Sequence, residues 1–293
     1  MQVQSNGLRL EVETHGAPGA APVLMIMGLG QQLTAWPPAL IDELAARGLA
    51  PIVFDNRDVG LSTRLDALGC PNLMRVMVQH TLRLPIRAPY LLADMARDAL
   101  GLLDALRVES AHVVGVSMGG MIAQLLAASA PERVRSLTLM MTTTGARHLP
   151  GPTGPAGRAL LARPKGRSVE ALVDHGVGVW RTIGSPDFPP AEAELRATLE
   201  RSVRRAFHPV GVARHLVAIT ASGDRSALVR GIKRRTLILH GRKDPLVPVA
   251  CGMDLADKIP GARIDVIEGM GHDLPVALAP SFAEKIAAHC AAD

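Results

Sequence analysis

Six short apolar runs, at residues 22–27, 51–54, 111–116, 136–141, 235–240 and 262–267, recur along the chain with helical patterns between them. Runs of this length, rich in Val, Ile, Leu and Met, read as strands buried on both faces, as in a parallel sheet with helices on either side. Helical periodicities at 34–47, 91–106, 118–130, 249–258 and 280–288 supply that cover. Asn6-Gly7, the pair favoured in two-residue hairpin turns, separates residues 2–5 from the alternating 8–14, so the chain opens on an antiparallel hairpin. The pattern predicts an α/β fold: a mostly parallel sheet of about eight strands, with an N-terminal hairpin and helices on both faces.

One stretch breaks the alternation. Residues 145–232 carry helical segments and no buried strand, which predicts a helical cap inserted into a core formed by 1–144 and 233–293. The cap's entry, 145–168, holds nine Gly or Pro in 24 residues and reads as a mobile connection. A smaller irregular stretch is expected over 66–89. With 293 residues and 48% apolar composition the chain has enough material for one large core, and disorder is excluded.

The formal charge is +5, and residues 145–235 hold 16 Lys or Arg against 7 Asp or Glu while the remainder is net acidic. A basic balance confined to one insertion, without zinc, helix-turn-helix or stacking motifs, argues against nucleic acid as a partner. A solvated arginine-rich face is the plainer reading of that charge, with steering of anionic substrates as its rival. Cys70, Cys251 and Cys290 are too scattered for a metal pair or a disulfide framework, which fits a reducing compartment. The polar N-terminus and the lack of any apolar run of ~18 to 20 residues predict a cytoplasmic protein without a membrane segment.

Chemistry concentrates at Gly115-Val116-Ser117-Met118-Gly119, directly after one predicted strand and directly before a helix. A serine on so tight a turn needs glycine two residues to either side, and the turn aims the helix's first amides at the hydroxyl. A serine hydroxyl is inert until a base takes its proton, so a histidine and an orienting carboxylate are required further along. Asp244 follows the run 235–240, and His272 lies in the glycine-rich Gly269-Met270-Gly271-His272 after the last one. Asp55, Asp58 and Asp273 compete with Asp244, which has the better position. The turn Met27-Gly28-Leu29-Gly30 can supply a second oxyanion amide, from Leu29, beside that of Met118. Met27, Gly28 and Met270 are candidates for the substrate pocket, since flexible thioethers accommodate varied apolar ligands.

These motifs together resemble the α/β-hydrolase family. Ser117 matches its nucleophile elbow, Asp244 its acid, His272 its base, and the Met118 and Leu29 amides its oxyanion hole. The run Phe54-Asp55-Asn56-Arg57-Asp58-Val59-Gly60-Leu61-Ser62 is similar to the family's loop after the fourth strand, with Asp58 where glycine is common. Met27 stands where many members have histidine. Met27-Gly28 with Asn56-Arg57-Asp58 resembles the small-ester branch that includes aclacinomycin methylesterase.

The resemblance implies a serine carboxylesterase that needs no cofactor and no metal and takes a small-molecule ester as its partner, as a monomer or homodimer. Lactone or macrolide-ring cleavage, thioester hydrolysis and perhydrolysis would use the same triad. A ligand receptor on a hydrolase scaffold is the alternative of another class.

Overall fold

A computed structural model describes residues 1–292; Asp293, the last residue of the expected core segment 233–293, lies outside them. Eight strands form one sheet: β1 (Gln2–Ser5), β2 (Leu8–Thr14), β3 (Ala21–Ile26), β4 (Leu49–Phe54), β5 (Ala111–Val116), β6 (Val134–Met140), β7 (Thr236–Gly241) and β8 (Arg263–Ile267). Their spatial order is β1-β2-β4-β3-β5-β6-β7-β8, antiparallel through β1, β2 and β4 and parallel from β4 to β8. Asn6 and Gly7 both adopt positive φ, at 49° and 78°, which is what a turn of this hairpin type demands.

The central strands alternate strictly between two apolar layers. Leu24, Ile26, Val113, Leu137 and Ile238 pack with α3 (Leu92–Ala105) and α4 (Met118–Ser129) on one face. Val23, Met25, Val114, Met140 and Leu239 pack with α1 (Pro38–Ala46) and α11 (Ala279–Ala291) on the other. This two-sided burial is why these runs are nearly free of charge. β8 differs from the expectation. It is the edge strand and only half-buried, which suits its Arg263 and Asp265.

α2 (Leu73–Thr81) occupies part of the stretch expected to be irregular. Its N-terminus is capped by the Asn72 side chain, which accepts from the Arg75 amide at 3.0 Å, and it packs against the helix Pro209–Ser222. Between β6 and β7 run α5 (Gly154–Leu161), α6 (Val169–Ile183), α7 (Glu192–Arg205), α8 (Pro209–Ser222) and α9 (Ser226–Val229), followed after β7 by α10 (Val249–Lys258). The Gly/Pro-rich stretch 145–168 is not wholly irregular: it contains α5, started by Pro155, whose Ala156 is fully buried.

α8 is fastened to the loop after β4 by buried charge. The Arg214 guanidinium donates to both Asp58 carboxylate oxygens, at 2.8 and 2.7 Å, and the two side chains are wholly buried. Tyr90 Oη donates to the same carboxylate and the Arg214 Nη1 donates to the Gly69 carbonyl. These bonds hold the Asp58 carboxyl below its usual range against the burial that would raise it. Asp58, the departure from the family's usual glycine, takes the left-handed φ of 65° that glycine would allow and uses its side chain to bind Arg214.

Breaking one half of such a pair leaves the other charge buried alone. Arg214→Met is expected to lower unfolding free energy by about 3–5 kcal/mol in urea titrations, and the double variant Asp58→Asn/Arg214→Met to recover part of that loss. Equal losses in the single and double variants would contradict the pairing.

Candidate active site

The β5–α4 turn sets the site. Ser117 has φ 54° and ψ −117°, a conformation costly for any residue with a side chain. It is held by its amide donating to the Met140 carbonyl at 2.9 Å and by Thr142 Oγ1 donating to the Ser117 carbonyl at 2.7 Å. The two flanking glycines are explained by contact: a Cβ on Gly115 would lie 2.4 Å from the Gly119 carbonyl oxygen, and one on Gly119 would lie 2.0 Å from that of Ile26. α4 thus starts flush against the ends of β3 and β5, and Ser117 is thrust out above the sheet.

His272 and Asp244 meet it there. His272 Nε2 lies 3.1 Å from Ser117 Oγ, and His272 Nδ1 lies 2.7 Å from Asp244 Oδ2. Asp244 Oδ1 accepts from the amides of Leu246 and Val247 at 2.9 and 2.8 Å, which fixes the carboxylate's orientation. The histidine loop is pinned from the other side by the end of α6: the His272 amide donates to the Ile183 carbonyl at 2.7 Å, and Ser185 Oγ accepts from the Gly271 amide at 2.9 Å.

None of the competing carboxylates reaches the imidazole. Asp55 accepts from the amides of Leu33 and Leu61 and from Arg205. Burial nevertheless raises its pKa, against those bonds. Asp58 is committed to Arg214, and Asp273 is bonded to Ser185.

The turn after β3 lies against Ser117: a Cβ on Gly28 would sit 3.3 Å from Ser117 Cβ. Leu29 follows it, and Gly30 bends back with φ 64°. Met118 opens α4, so its amide is one of the helix's first, at the positive end of the peptide dipoles. The loop is held by residues that the sequence left unassigned. Asn56 Nδ2 donates to the Met27 carbonyl at 3.1 Å, and the Gly30 amide donates to His215 Nδ1 at 3.4 Å.

Ser117 and His272 open into a broad cleft of about 2470 Å³, lined largely by these loops and by α5–α8 and open to solvent. Met27 and Gly28 line it. Met270 does not: it is wholly buried in the layer with Val116, Leu239 and Phe282, behind the histidine loop. The expectation that it faces the pocket is corrected by its position directly below the Gly241 turn, where a Cβ on Gly241 would come within 2.3 Å of the Met270 carbonyl oxygen. Trp36, Trp180, Phe188 and Phe207 line the cavity, four of the seven aromatic residues in the chain.

Residues 21–166 match the family model for the alpha/beta hydrolase fold. The chain is 33% identical to the rhodomycin D methylesterase DauP of Streptomyces sp. (strain C5), with 94% of this chain and 92% of that protein covered. The chain is an enzyme of the α/β-hydrolase family. The hydrolase is also 30% identical to the rhodomycin D methylesterase DnrP of Streptomyces peucetius, over 98% of this chain and 96% of that one. A solved meta-cleavage product hydrolase from Pseudomonas fluorescens IP01 superposes with a TM-score of 0.77 at 21% identity, covering 99% of this chain and 96% of that chain, and shares the fold. Among the described residues no helix is long and apolar enough to cross a membrane, and no group of three or more His, Cys, Asp or Glu is placed to hold a metal ion.

The close approach at Gly119 makes a sharp prediction. Gly119→Ala is expected to destabilise the hydrolase by about 1–3 kcal/mol or more and to displace the serine turn, whereas Gly151→Ala, where a Cβ meets nothing within 4 Å, is expected to be neutral. Denaturant midpoints of the two variants check this.

Proposed function

We propose that the hydrolase cleaves carboxylic ester bonds through an acyl-enzyme on Ser117. The observation that carries the reading is the continuous chain Asp244–His272–Ser117, at 2.7 and 3.1 Å, opening into the large, mainly apolar cleft.

His272 Nε2 takes the Ser117 proton as Oγ attacks the ester carbonyl, and the electron pair moves onto the carbonyl oxygen. The Leu29 and Met118 amides donate to that oxyanion, as preorganised donors outside bulk water. Collapse breaks the bond to the alcohol, which leaves with the proton from His272. Water, deprotonated by the same nitrogen, then attacks the acyl-serine and releases the acid. Asp244 keeps the proton on Nδ1 and stabilises the imidazolium formed twice per turnover.

Residues 145–232 serve as the cap of this site, on a core of 1–144 and 233–293. α6 anchors the histidine loop and α8 the oxyanion loop, so the cap both walls the cavity and braces the site. The substrate favoured by the cavity is the ester of a bulky, apolar, aromatic acid, and the two methylesterase relatives favour a small alcohol leaving group. Lactones and thioesters would pass through the same steps with a different leaving atom.

Ser117→Ala is expected to abolish turnover of aryl and methyl esters with the fold unchanged by circular dichroism. Asp244→Asn is expected to lower kcat by roughly 10⁴, and Asp55→Asn far less; the reverse ranking would give the acid's role to Asp55. Across an ester panel, kcat/KM is expected to be higher for methyl esters of bulky aromatic acids than for acetates of equally bulky alcohols.

A further inference from the structure

We propose that His215, on α8, is a positioning residue for the oxyanion loop: its Nδ1 accepts the Gly30 N–H and thereby sets the direction of the neighbouring Leu29 amide. The inference rests on the role proposed above for that amide. It concerns a side chain outside the Ser117, His272 and Asp244 constellation, about 185 residues along the chain from the loop it holds.

The bond is part of a fitted contact. Gly30 sits so close on α8 that a Cβ there would lie 2.7 Å from Val212 Cγ2. Because the Gly30 amide can only donate, Nδ1 must be unprotonated, and the ring proton is on Nε2, which lies 2.8 Å from the Arg57 carbonyl oxygen and donates to it. The anchor carbonyl is itself fixed. Arg57 donates to both oxygens of Asp98 at 2.6 Å, and its guanidinium lies 5.0 Å from the centre of the Tyr90 ring.

α8 cannot slide either, since Arg214 is bound to Asp58 and a Cβ on Gly211 would lie 2.1 Å from the Asp58 carbonyl oxygen. His215 is wholly buried, and that burial drives its pKa down to about 4, so the ring is neutral at neutral pH. A neutral imidazole with both nitrogens bonded is a rigid spacer between two loops. Losing this bond frees the Leu29–Gly30 peptide and with it the tight turn that carries the Leu29 amide, which can then shift from the developing charge, and misplacement by ~1 Å costs on the order of 10²-fold in rate.

Two amide variants separate positioning from packing. Asparagine at 215 places its oxygen near the Nδ1 position and keeps an acceptor for Gly30; glutamine places its nitrogen near Nε2, keeping the donor to Arg57 and losing that acceptor. His215→Gln is expected to lower kcat for an aryl ester about 10- to 100-fold with KM within about twofold. Inhibition by an aryl trifluoromethyl ketone, which adds Ser117 Oγ to its carbonyl and leaves an oxyanion, is expected to weaken by a similar factor. His215→Asn is expected to stay within about threefold of the wild type in both readouts.

Equal loss in the two variants, or a rise in KM with kcat kept, would reduce His215 to a packing residue and overturn the proposal. If the glutamine variant does not fold, ¹⁵N-histidine NMR of the wild-type protein decides: an Nε2–H tautomer of His215 at neutral pH is expected, and an Nδ1–H tautomer overturns it. Ser117→Ala run in parallel keeps the two claims apart, since activity surviving in that variant overturns the serine mechanism itself, whereas wild-type kcat in His215→Gln overturns only the positioning role.

Discussion

The structure depends on how closely α4 can begin to the ends of β3 and β5. Only because Gly115 and Gly119 present no side chain can the chain turn from strand to helix within one residue, and that residue, Ser117, is left in a left-handed conformation above the sheet. The candidate site is arranged around this point. The β3 turn meets it through Gly28, the β7 loop supplies Asp244, and the β8 loop supplies His272, so each side chain or amide comes from the carboxyl end of a parallel strand. Strain at such a residue persists only where the surroundings over-determine it, and here the bonds to Met140 and Thr142 do so.

A second constraint acts from above. Surface ion pairs contribute little, and several of the arginines in 145–235 form just such pairs, as Arg181 with Glu192 and Arg204 with Glu200. Arg214, Arg205 and Arg225 differ, since they reach inward. Arg214 binds Asp58, Arg205 binds Asp55 and Gln32, and Arg225 binds Gln124 and the Thr143 carbonyl. Part of the positive charge that reads as a solvated face is therefore used to clamp the helices between β6 and β7 onto the loops after β3, β4 and β6.

This division explains what the sequence made legible. Strand and helix alternation is a local pattern, so the sheet and its helices follow from periodicity, with errors where local rules conflict: the proline pair at 37–38 delays α1, and Arg263 and Asp265 mark β8 as an edge strand. Ser117, His272 and Asp244 were legible because each lies in a loop whose flanking strand and glycines identify its place. The partners of Asp55, Asp58 and Gly30 were not, because Arg205, Arg214 and His215 lie on helices about 150 or more residues away, where nothing in the local sequence distinguishes a buried fastener from a surface cation. Asp58 in place of glycine was the one local sign, and its meaning needed Arg214 beside it.

The central claim is that Ser117 becomes covalently acylated, and mass spectrometry of the intact hydrolase tests it most directly. Mixed with an aryl ester and quenched in acid within the first turnovers, the protein is expected to gain the mass of one acyl group, which peptide mapping assigns to Ser117. An acyl group found on any other residue, or turnover with the bond cleaved by water and no adduct under conditions where deacylation is slowed, would contradict the account.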